Sequence, residues 1–193
     1  YSKYTYVRNT VAIVTNGTAV LGLGDIGVKA SMPVMEGKSL LFASLVGLNG
    51  IPLLIDSRDP GEIVNTVRNI ASGFGAIQLE DIASPECFEV EDRLQEVLEV
   101  PVMHDDQHGT AVVVLASMLN ACKYSGVQIE QANVGIIGLG AAGMGIAKLL
   151  QAFGVRSIRG TDVKEPAMQM LRQLGGEPTD LASLMKQNEI VIA

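Results

Sequence analysis

The chain has 193 residues, of which 48% are apolar and 18% are charged, and its formal net charge is −7 at pH 7. This length allows one large globular domain or two smaller ones with apolar cores. The acidic balance, without a stripe of Lys and Arg on any predicted element, excludes broad nucleic-acid binding. Apolar stretches of membrane-spanning length and a recognisable secretory leader are both absent from the sequence, so we expect no membrane partner and a cytoplasmic location.

The two cysteines, Cys87 and Cys122, are far apart and fall in predicted helices. Neither belongs to a CxxC pair or has a histidine partner. We therefore expect reduced core residues that act neither as nucleophiles nor as metal ligands.

Short β-branched runs alternate with amphipathic stretches along the whole chain. The predicted strands are TVAIVTN, GIPLLIDS, GAIQLED and VPVMHDD, followed by ANVGIIGLG, VRSIRGTD and EIVIA. Helical patterns such as PGEIVNTVRNIA and ECFEVEDRLQEVLE lie between them. This alternation predicts an α/β fold of βαβ units with parallel sheets.

One helical pattern, GTAVVVLASMLNACKYSG, is longer than the others and apolar nearly all round. A helix of this kind is typical of a buried connection between domains. The sequence therefore predicts two parallel-sheet domains, residues 1–108 and 109–193, with the boundary near Gly109.

A Gly-rich string in the second domain has the GxGxxG spacing of dinucleotide-binding turns. It follows a predicted strand and opens a predicted helix, so backbone N–H groups at the helix N-terminus would face a pyrophosphate. An acid ends the next strand, where an acceptor for the ribose hydroxyls is expected. We predict an incomplete Rossmann-like domain whose cofactor-binding residues are Gly138, Gly140, Ala141, Ala142, Gly143 and Asp162.

A second string with the same spacing, Gly22, Gly24 and Gly27, lies near the start of the chain. Pro33 should prevent a continuous helix after it, and no acid lies at the required distance. We predict that this string is a loop close to the substrate.

Two acidic pairs, Glu80-Asp81 and Asp105-Asp106, each close an apolar run and precede a predicted helix. The carboxyl ends of neighbouring parallel strands meet in one crevice, so these acids should converge there. Oxygen-only ligation favours Mg²⁺ or Mn²⁺ over Zn²⁺. The alternative is that the acids are helix caps.

Lys38 follows Gly37 at the predicted start of an apolar helix. A lysine there is usually solvated, yet a cation at the positive end of a helix is unfavourable, so a negative group should lie nearby. The acid cluster or an anionic substrate could supply it. A lysine desolvated beside a metal can lose its proton and act as a general base.

Five segments in this order, LGLGDIG, SMPVMEGKSLLF, IQLEDI, PVMHDDQHGTA and GLGAAGMGIAKLL, resemble the malic enzymes, particularly the compact bacterial type. The resemblance covers essentially the whole chain. It implies oxidative decarboxylation of L-malate to pyruvate and CO₂, with NAD as the cofactor and NADP as an alternative. It also implies a homo-oligomer, a dimer or larger.

The resemblance assigns roles to residues already singled out. The divalent metal, Mg²⁺ or Mn²⁺, would be bound by Glu80, Asp81 and Asp106. Lys38 matches the catalytic lysine, and Asp105 matches an acid beside it that would orient the lysine.

The chain departs from the family pattern at two functional positions. The tyrosine that the family uses as an acid lies upstream of these segments, and Tyr1, Tyr4 and Tyr6 are not in its motif. Ala19 stands where the large eukaryotic type has an arginine for a substrate carboxylate. Another cation would have to replace that arginine.

Several alternatives stay open at this stage. Lys29, Arg8 or a side chain outside this stretch could hold the substrate carboxylate. The charge of Asp162 favours NAD, whereas Lys164 could accommodate a 2′-phosphate. The chain could also be another NAD-dependent hydroxy- or amino-acid dehydrogenase, which would not need the three metal-binding acids. A non-catalytic module, the other alternative, should have lost Lys38 or a metal ligand.

Overall fold

A computed structural model describes residues 1–193, which divide into two compact units, Tyr1–Asp105 and Asp106–Ala193. Each unit contains one four-stranded sheet in which every pairing is parallel. The chain is therefore an α/β protein with two parallel sheets. No helix is both long enough and apolar enough to span a bilayer.

The first unit has the strand order β2-β1-β3-β4. The central strand β1 is buried along its whole length, which explains its β-branched, non-alternating sequence. The strands are β1 (Thr10–Thr15), β2 (Asn49–Leu54), β3 (Ala76–Leu79) and β4 (Val102–His104). The helices are α1 (Gly27–Leu41), α2 (Pro60–Ile70) and α3 (Glu86–Val97).

A long helix, α4 (Asp105–Ser125), begins at the last residue of the first unit, and the predicted boundary at Gly109 lies within it. The second unit has the strand order β7-β6-β5-β8, which is the arrangement of one half of a doubly wound nucleotide-binding fold. Its strands are β5 (Asn133–Ile137), β6 (Ser157–Thr161), β7 (Glu177–Pro178) and β8 (Ile190–Ile192). The remaining helices are α5 (Ala141–Phe153), α6 (Glu165–Leu174) and α7 (Leu181–Gln187).

All the predicted strands are present, and β7 is an additional one. It has only two residues, which is too short for a periodic pattern to reveal. Cys87 in α3 and Cys122 in α4 are buried and unpaired with each other, as expected.

The expected break at Pro33 is wrong. Helix α1 runs through Pro33, so Lys38 lies in its last turn rather than at its start. Tertiary packing offsets the cost of the proline, because α1 lies against β2 so closely that the Ser39 hydroxyl donates to the Gly50 carbonyl at 2.7 Å. Eleven residues of α1 precede Lys38, and the helical backbone continues after α1 as a π-helix over Phe42–Val46. Lys38 therefore lies far from the positive end of the helix, and the predicted electrostatic conflict does not exist.

Candidate active site

Two acids follow β3 at the carboxyl end of the first sheet. The Glu80 N–H donates to the Val14 carbonyl at 2.8 Å, so the extended backbone continues one residue beyond the strand. Asp81 then turns into the left-handed region with φ of 53°. Both residues are almost completely buried, at 0% and 2% exposure. A left-handed non-glycine residue costs roughly 1–3 kcal/mol, and such conformations cluster at functional sites.

The turn at Asp81 is held by the segment that follows β1. The Asp81 carbonyl accepts hydrogen bonds from the N–H groups of Thr18 at 3.1 Å and Ala19 at 3.0 Å. The hydroxyl of Thr18 in turn accepts from the N–H of Ala83 at 2.9 Å. These bonds fix the acid pair against the start of the first Gly-rich string.

Lys38 reaches this acid pair from the last turn of α1. Its Nζ donates to Oε2 of Glu80 and lies 3.9 Å from Oδ2 of Asp81. The lysine side chain is 23% exposed, whereas the Glu80 side chain is 1% exposed. The structure thus brings together three of the residues singled out in the sequence, although they lie 42 and 43 positions apart in the chain.

The carboxyl group of Glu80 is under strong electrostatic influence from its surroundings. Burial raises its pKa from 4.5 to about 7, although the nearby Lys38 ammonium and the hydrogen bonds from Lys38 and Gln78 oppose the increase. The negative charge of Asp105 adds to the increase. A buried carboxyl of this kind would be stabilised in its charged form by a further cation.

Gln78 is a site residue that the sequence reasoning missed. Its Nε2 donates to Oε1 of Glu80 at 2.5 Å from a position on β3 two residues earlier. Residues two apart on an extended strand share a face, and that spacing was the signal that could have identified it.

A cavity of about 340 Å³ opens beside these groups, a size suited to a small ligand. Asp105 lines it together with Lys38, Gln78 and Glu80. The rest of its lining is apolar and consists of Leu41, Phe42, Leu45 and Val46.

The start of α4 sets the position of Asp105. The preceding residue, His104, is buried at the end of β4, and its N–H donates to the buried Glu91 carboxylate on α3 at 2.8 Å. Asp106 follows in the same first turn and is the first residue of the second unit. Acids in the first turn of a helix are favoured by its dipole, so the predicted capping and functional roles are compatible.

Arg8 is excluded from the substrate-carboxylate role by its place in the fold. It precedes β1 and lies at the amino end of the sheet, where it lines a separate cavity of about 550 Å³ with Arg68. The six-residue strand β1 spans roughly 20 Å at about 3.3 Å per residue, which separates the two ends of the sheet. Tyr1 lines that same distant cavity, and Lys29 lies exposed in the first turn of α1.

Gly22 and Gly24 of the first Gly-rich string lie in a loop before α1, as predicted, whereas Gly27 is the first residue of α1. Val20 and Gly24 form a bridge that closes a tight turn, and Gly22 and Gly24 both have positive φ. Leu23 at the tip is exposed. Six residues separate Thr15, the last residue of β1, from Gly22, so no strand leads directly into this string as nucleotide binding requires, although α1 begins at its last glycine, Gly27.

The second Gly-rich string has the predicted arrangement, with β5 before it and α5 after it. Gly138 has φ of 89°, and Gly140 precedes the first residue of α5. A Cβ at Gly143 would collide with the carbonyl oxygen of Gly138, so only glycine lets the helix pack this closely on the turn. Ala141 and Ala142 form the first turn of α5.

Asp162 follows β6 and is bonded to the same turn. Its Oδ2 accepts from the N–H of Leu139 at 2.7 Å, and its Oδ1 accepts from the N–H of Lys164 at 2.8 Å. The carboxylate is therefore held in a fixed orientation beside the Gly-rich string. This backbone role was not predicted from the sequence.

Two family models match the chain. The model described as "Malic enzyme, N-terminal domain" matches residues 2–60, and the model described as "D-isomer specific 2-hydroxyacid dehydrogenase, NAD binding domain" matches residues 103–193. Together they cover the first part of the first unit and the whole of the second.

The relatives and solved structures to which this chain is similar include several malic enzymes. NAD-dependent malic enzyme 1 of Bacillus subtilis is 56% identical over 193 residues, which is 100% of this chain and 44% of the relative. An NADP-dependent malic enzyme of Halomonas elongata is 49% identical over 80% of this chain and 36% of its own length. The crystal structure of the NAD-dependent malic enzyme from Thermotoga maritima has a TM-score of 0.91 and 36% identity, covering 99% of this chain and 55% of that one. The chain thus spans less than half the length of these two curated relatives.

Proposed function

Because this chain belongs to the malic enzyme family, we propose that it takes part in the oxidative decarboxylation of L-malate to pyruvate and CO₂ with reduction of NAD or NADP. The observation that carries this proposal is the contact of Lys38 with the buried Glu80 and Asp81 at the carboxyl end of a parallel sheet. Ligands of open α/β sheets bind at that end of the strands. The adjoining cavity has the size for a small dicarboxylate.

Glu80, Asp81 and Asp106 are proposed to hold the divalent cation. The donor set consists of carboxylate oxygens, which suits Mg²⁺ or Mn²⁺. The raised pKa of Glu80 supports this assignment, because a cation would offset the energetic cost of burying its negative charge. When bound, such a cation supplies Lewis-acid chemistry that polarises the C2 oxygen of the substrate and stabilises the charge left by departing CO₂.

Lys38 is proposed to take the proton of the malate C2 hydroxyl. It must be neutral to do so, and a cation bound at Glu80 and Asp81 would offset the negative charges that favour its ammonium form. Hydride leaves C2 for the nicotinamide, the bond between C3 and the C4 carboxylate breaks to release CO₂, and the enolate takes a proton at C3. Malate and NAD⁺ thus give pyruvate, CO₂ and NADH in balance. Asp105, at the same cavity, is proposed to orient the lysine.

The second unit is proposed to bind the nicotinamide cofactor through residues 138–143 and Asp162. The Gly-rich turn presents backbone N–H groups at the start of α5, where the helix dipole favours a pyrophosphate. The fixed carboxylate of Asp162 would accept hydrogen bonds from a ribose and repel a 2′-phosphate, which favours NAD. Relatives of both cofactor types exist, so NADP with Lys164 remains the alternative.

Another NAD-dependent hydroxy-acid dehydrogenase is the second candidate, because the match over residues 103–193 is to a family model of that class. That reading gives no role to the buried Glu80 and Asp81. A non-catalytic module would likewise have no use for a partly buried lysine in contact with a buried acid pair. A cytoplasmic location and a homo-oligomeric state stay predictions.

The proposal is tested by following nicotinamide reduction with L-malate and Mn²⁺ on the full-length enzyme, with NAD and NADP in parallel and pyruvate assayed as the product. We expect turnover with wild type, a preference for NAD, and loss of at least about 100-fold in Asp106→Ala. The matched control is Asp92→Ala, which removes an exposed acid of α3 and should leave the rate unchanged. Absence of malate turnover in wild type would overturn the proposal.

A further inference from the structure

We propose that Gln78 is a positioning residue that orients the Glu80 carboxylate for cation binding. This inference rests on the proposed function. Gln78 lies on β3 and donates from Nε2 to Oε1 of Glu80 at 2.5 Å. It also lines the cavity beside Lys38.

The two oxygens of Glu80 have different partners in the first unit. Oε1 accepts from the neutral amide of Gln78, whereas Oε2 accepts from the ammonium of Lys38. The last torsion of a glutamate side chain is broad, so a carboxylate without a donor samples many orientations. The Gln78 amide restricts this rotation and keeps Oε2 on the side of Lys38.

An amide suits this role because it carries no charge. A cation bound at Glu80 would be repelled by a charged donor at Oε1, while the Gln78 amide bonds to the carboxylate without repulsion. Removing a hydrogen bond to a carboxylate that ligates a metal typically lowers the metal affinity by about 10–100-fold.

The neighbouring strands offer no substitute for the amide. In the register of the sheet, Gln78 pairs with Ile13 on β1 and with Met103 on β4, and both of these residues are apolar. Removal of the Gln78 amide would therefore leave Oε1 without a donor from the adjacent strand positions.

Lys38 should have the opposite effect on the same carboxylate. Its ammonium competes with a cation for Oε2 and repels it. We therefore expect Gln78→Met to weaken Mn²⁺ binding by about 10–100-fold and Lys38→Met to strengthen it by at least about threefold. A general loss of structure in Gln78→Met would weaken NAD binding as well as Mn²⁺ binding, so NAD binding is the readout that separates a structural role from a positioning role.

The test measures free Mn²⁺ by electron paramagnetic resonance during titration of the full-length enzyme, without malate or cofactor. Gln78→Asn is the second variant, since its amide falls one methylene short of Glu80 while the side chain stays polar. Gln95→Met is the matched control, because it removes an exposed glutamine amide of α3 that bonds only to the Val102 carbonyl among the described contacts.

The inference predicts weaker Mn²⁺ binding in both Gln78 variants, with wild-type binding in Gln95→Met and unchanged NAD binding in all of them. Mn²⁺ dissociation constants of both Gln78 variants within twofold of wild type would overturn it while leaving the proposed function intact. Failure of wild type itself to bind Mn²⁺ would overturn the metal assignment and this inference together.

Discussion

At the scale of single residues, the carboxyl group of Glu80 is the most informative group in the chain. It is buried, yet it accepts hydrogen bonds from an ammonium and an amide. Its raised pKa shows that burial outweighs these two favourable contacts. A group of this kind lowers the free energy of unfolding of the metal-free protein and is suited to bind a cation. Functional sites often lose stability in this way and gain affinity for a ligand.

The metal-free protein should lose stability as the pH rises, because the pKa of Glu80 is raised in the folded state. The pKa of Glu80 is about 7 in the folded state and 4.5 as the ordinary value, so the folded state binds more protons between these limits. Stability from this group is therefore complete below pH 4.5 and is lost as the pH rises through about 7.

Glu80→Gln should remove this loss of stability at high pH, because glutamine carries no charge. Relative to wild type in EDTA, we expect the variant to gain more stability at pH 8 than at pH 5, measured by urea unfolding of the full-length enzyme. Glu89→Gln is the control, because Glu89 is exposed on α3. An equal stability difference between Glu80→Gln and wild type at both pH values would contradict the pH dependence assigned to Glu80.

At the scale of elements, two helix glycines have opposite surroundings. A Cβ at Gly143 would collide with the Gly138 carbonyl oxygen, whereas a Cβ at Gly37 on α1 would meet no atom within 4 Å. We expect Gly143→Ala to weaken NAD binding by at least about tenfold, because the collision displaces the turn that faces the pyrophosphate. Gly37→Ala should instead raise the free energy of unfolding by about 0.5–1 kcal/mol.

Isothermal titration with NAD and urea unfolding of both variants would check this pair of predictions. NAD binding by Gly143→Ala at wild-type strength would show that the turn tolerates a Cβ. Destabilisation by Gly37→Ala would show that α1 is more tightly packed at that position than the structure indicates.

The strands and the nucleotide-binding turn were predictable from sequence because their signals are local. β1 and β5 are short runs rich in β-branched residues, and the Gly-rich string depends on residues close together in the chain. Helix α1 was not predictable, because the packing of Ser39 against Gly50 on β2 overrides the local preference of Pro33. The backbone bonds of Asp162 were also missed, since they depend on a turn 23 residues earlier.

At the scale of the whole molecule, chemistry-bearing residues from distant parts of the chain meet because parallel strands end at one edge. Topology accounts for the meeting of Lys38 with Glu80 and Asp81, and the motifs of the sequence had already pointed to these residues. Topology also excludes Arg8 as the residue that binds the substrate carboxylate, because Arg8 lies at the opposite end of β1. Sequence patterns identify which residues are chemically competent, and the order of the strands decides which of them share a site.

Lys38 is proposed to carry the proton transfer of malate oxidation. The turnover number of Lys38→Met in the full-length enzyme, with saturating L-malate, NAD and Mn²⁺, tests this role. Removal of a general base should lower kcat by about 10²–10⁴-fold. Lys123→Met, which removes an exposed lysine from the last turn of α4, is the matched control and should turn over at the wild-type rate. A kcat of Lys38→Met within threefold of wild type would contradict the assignment.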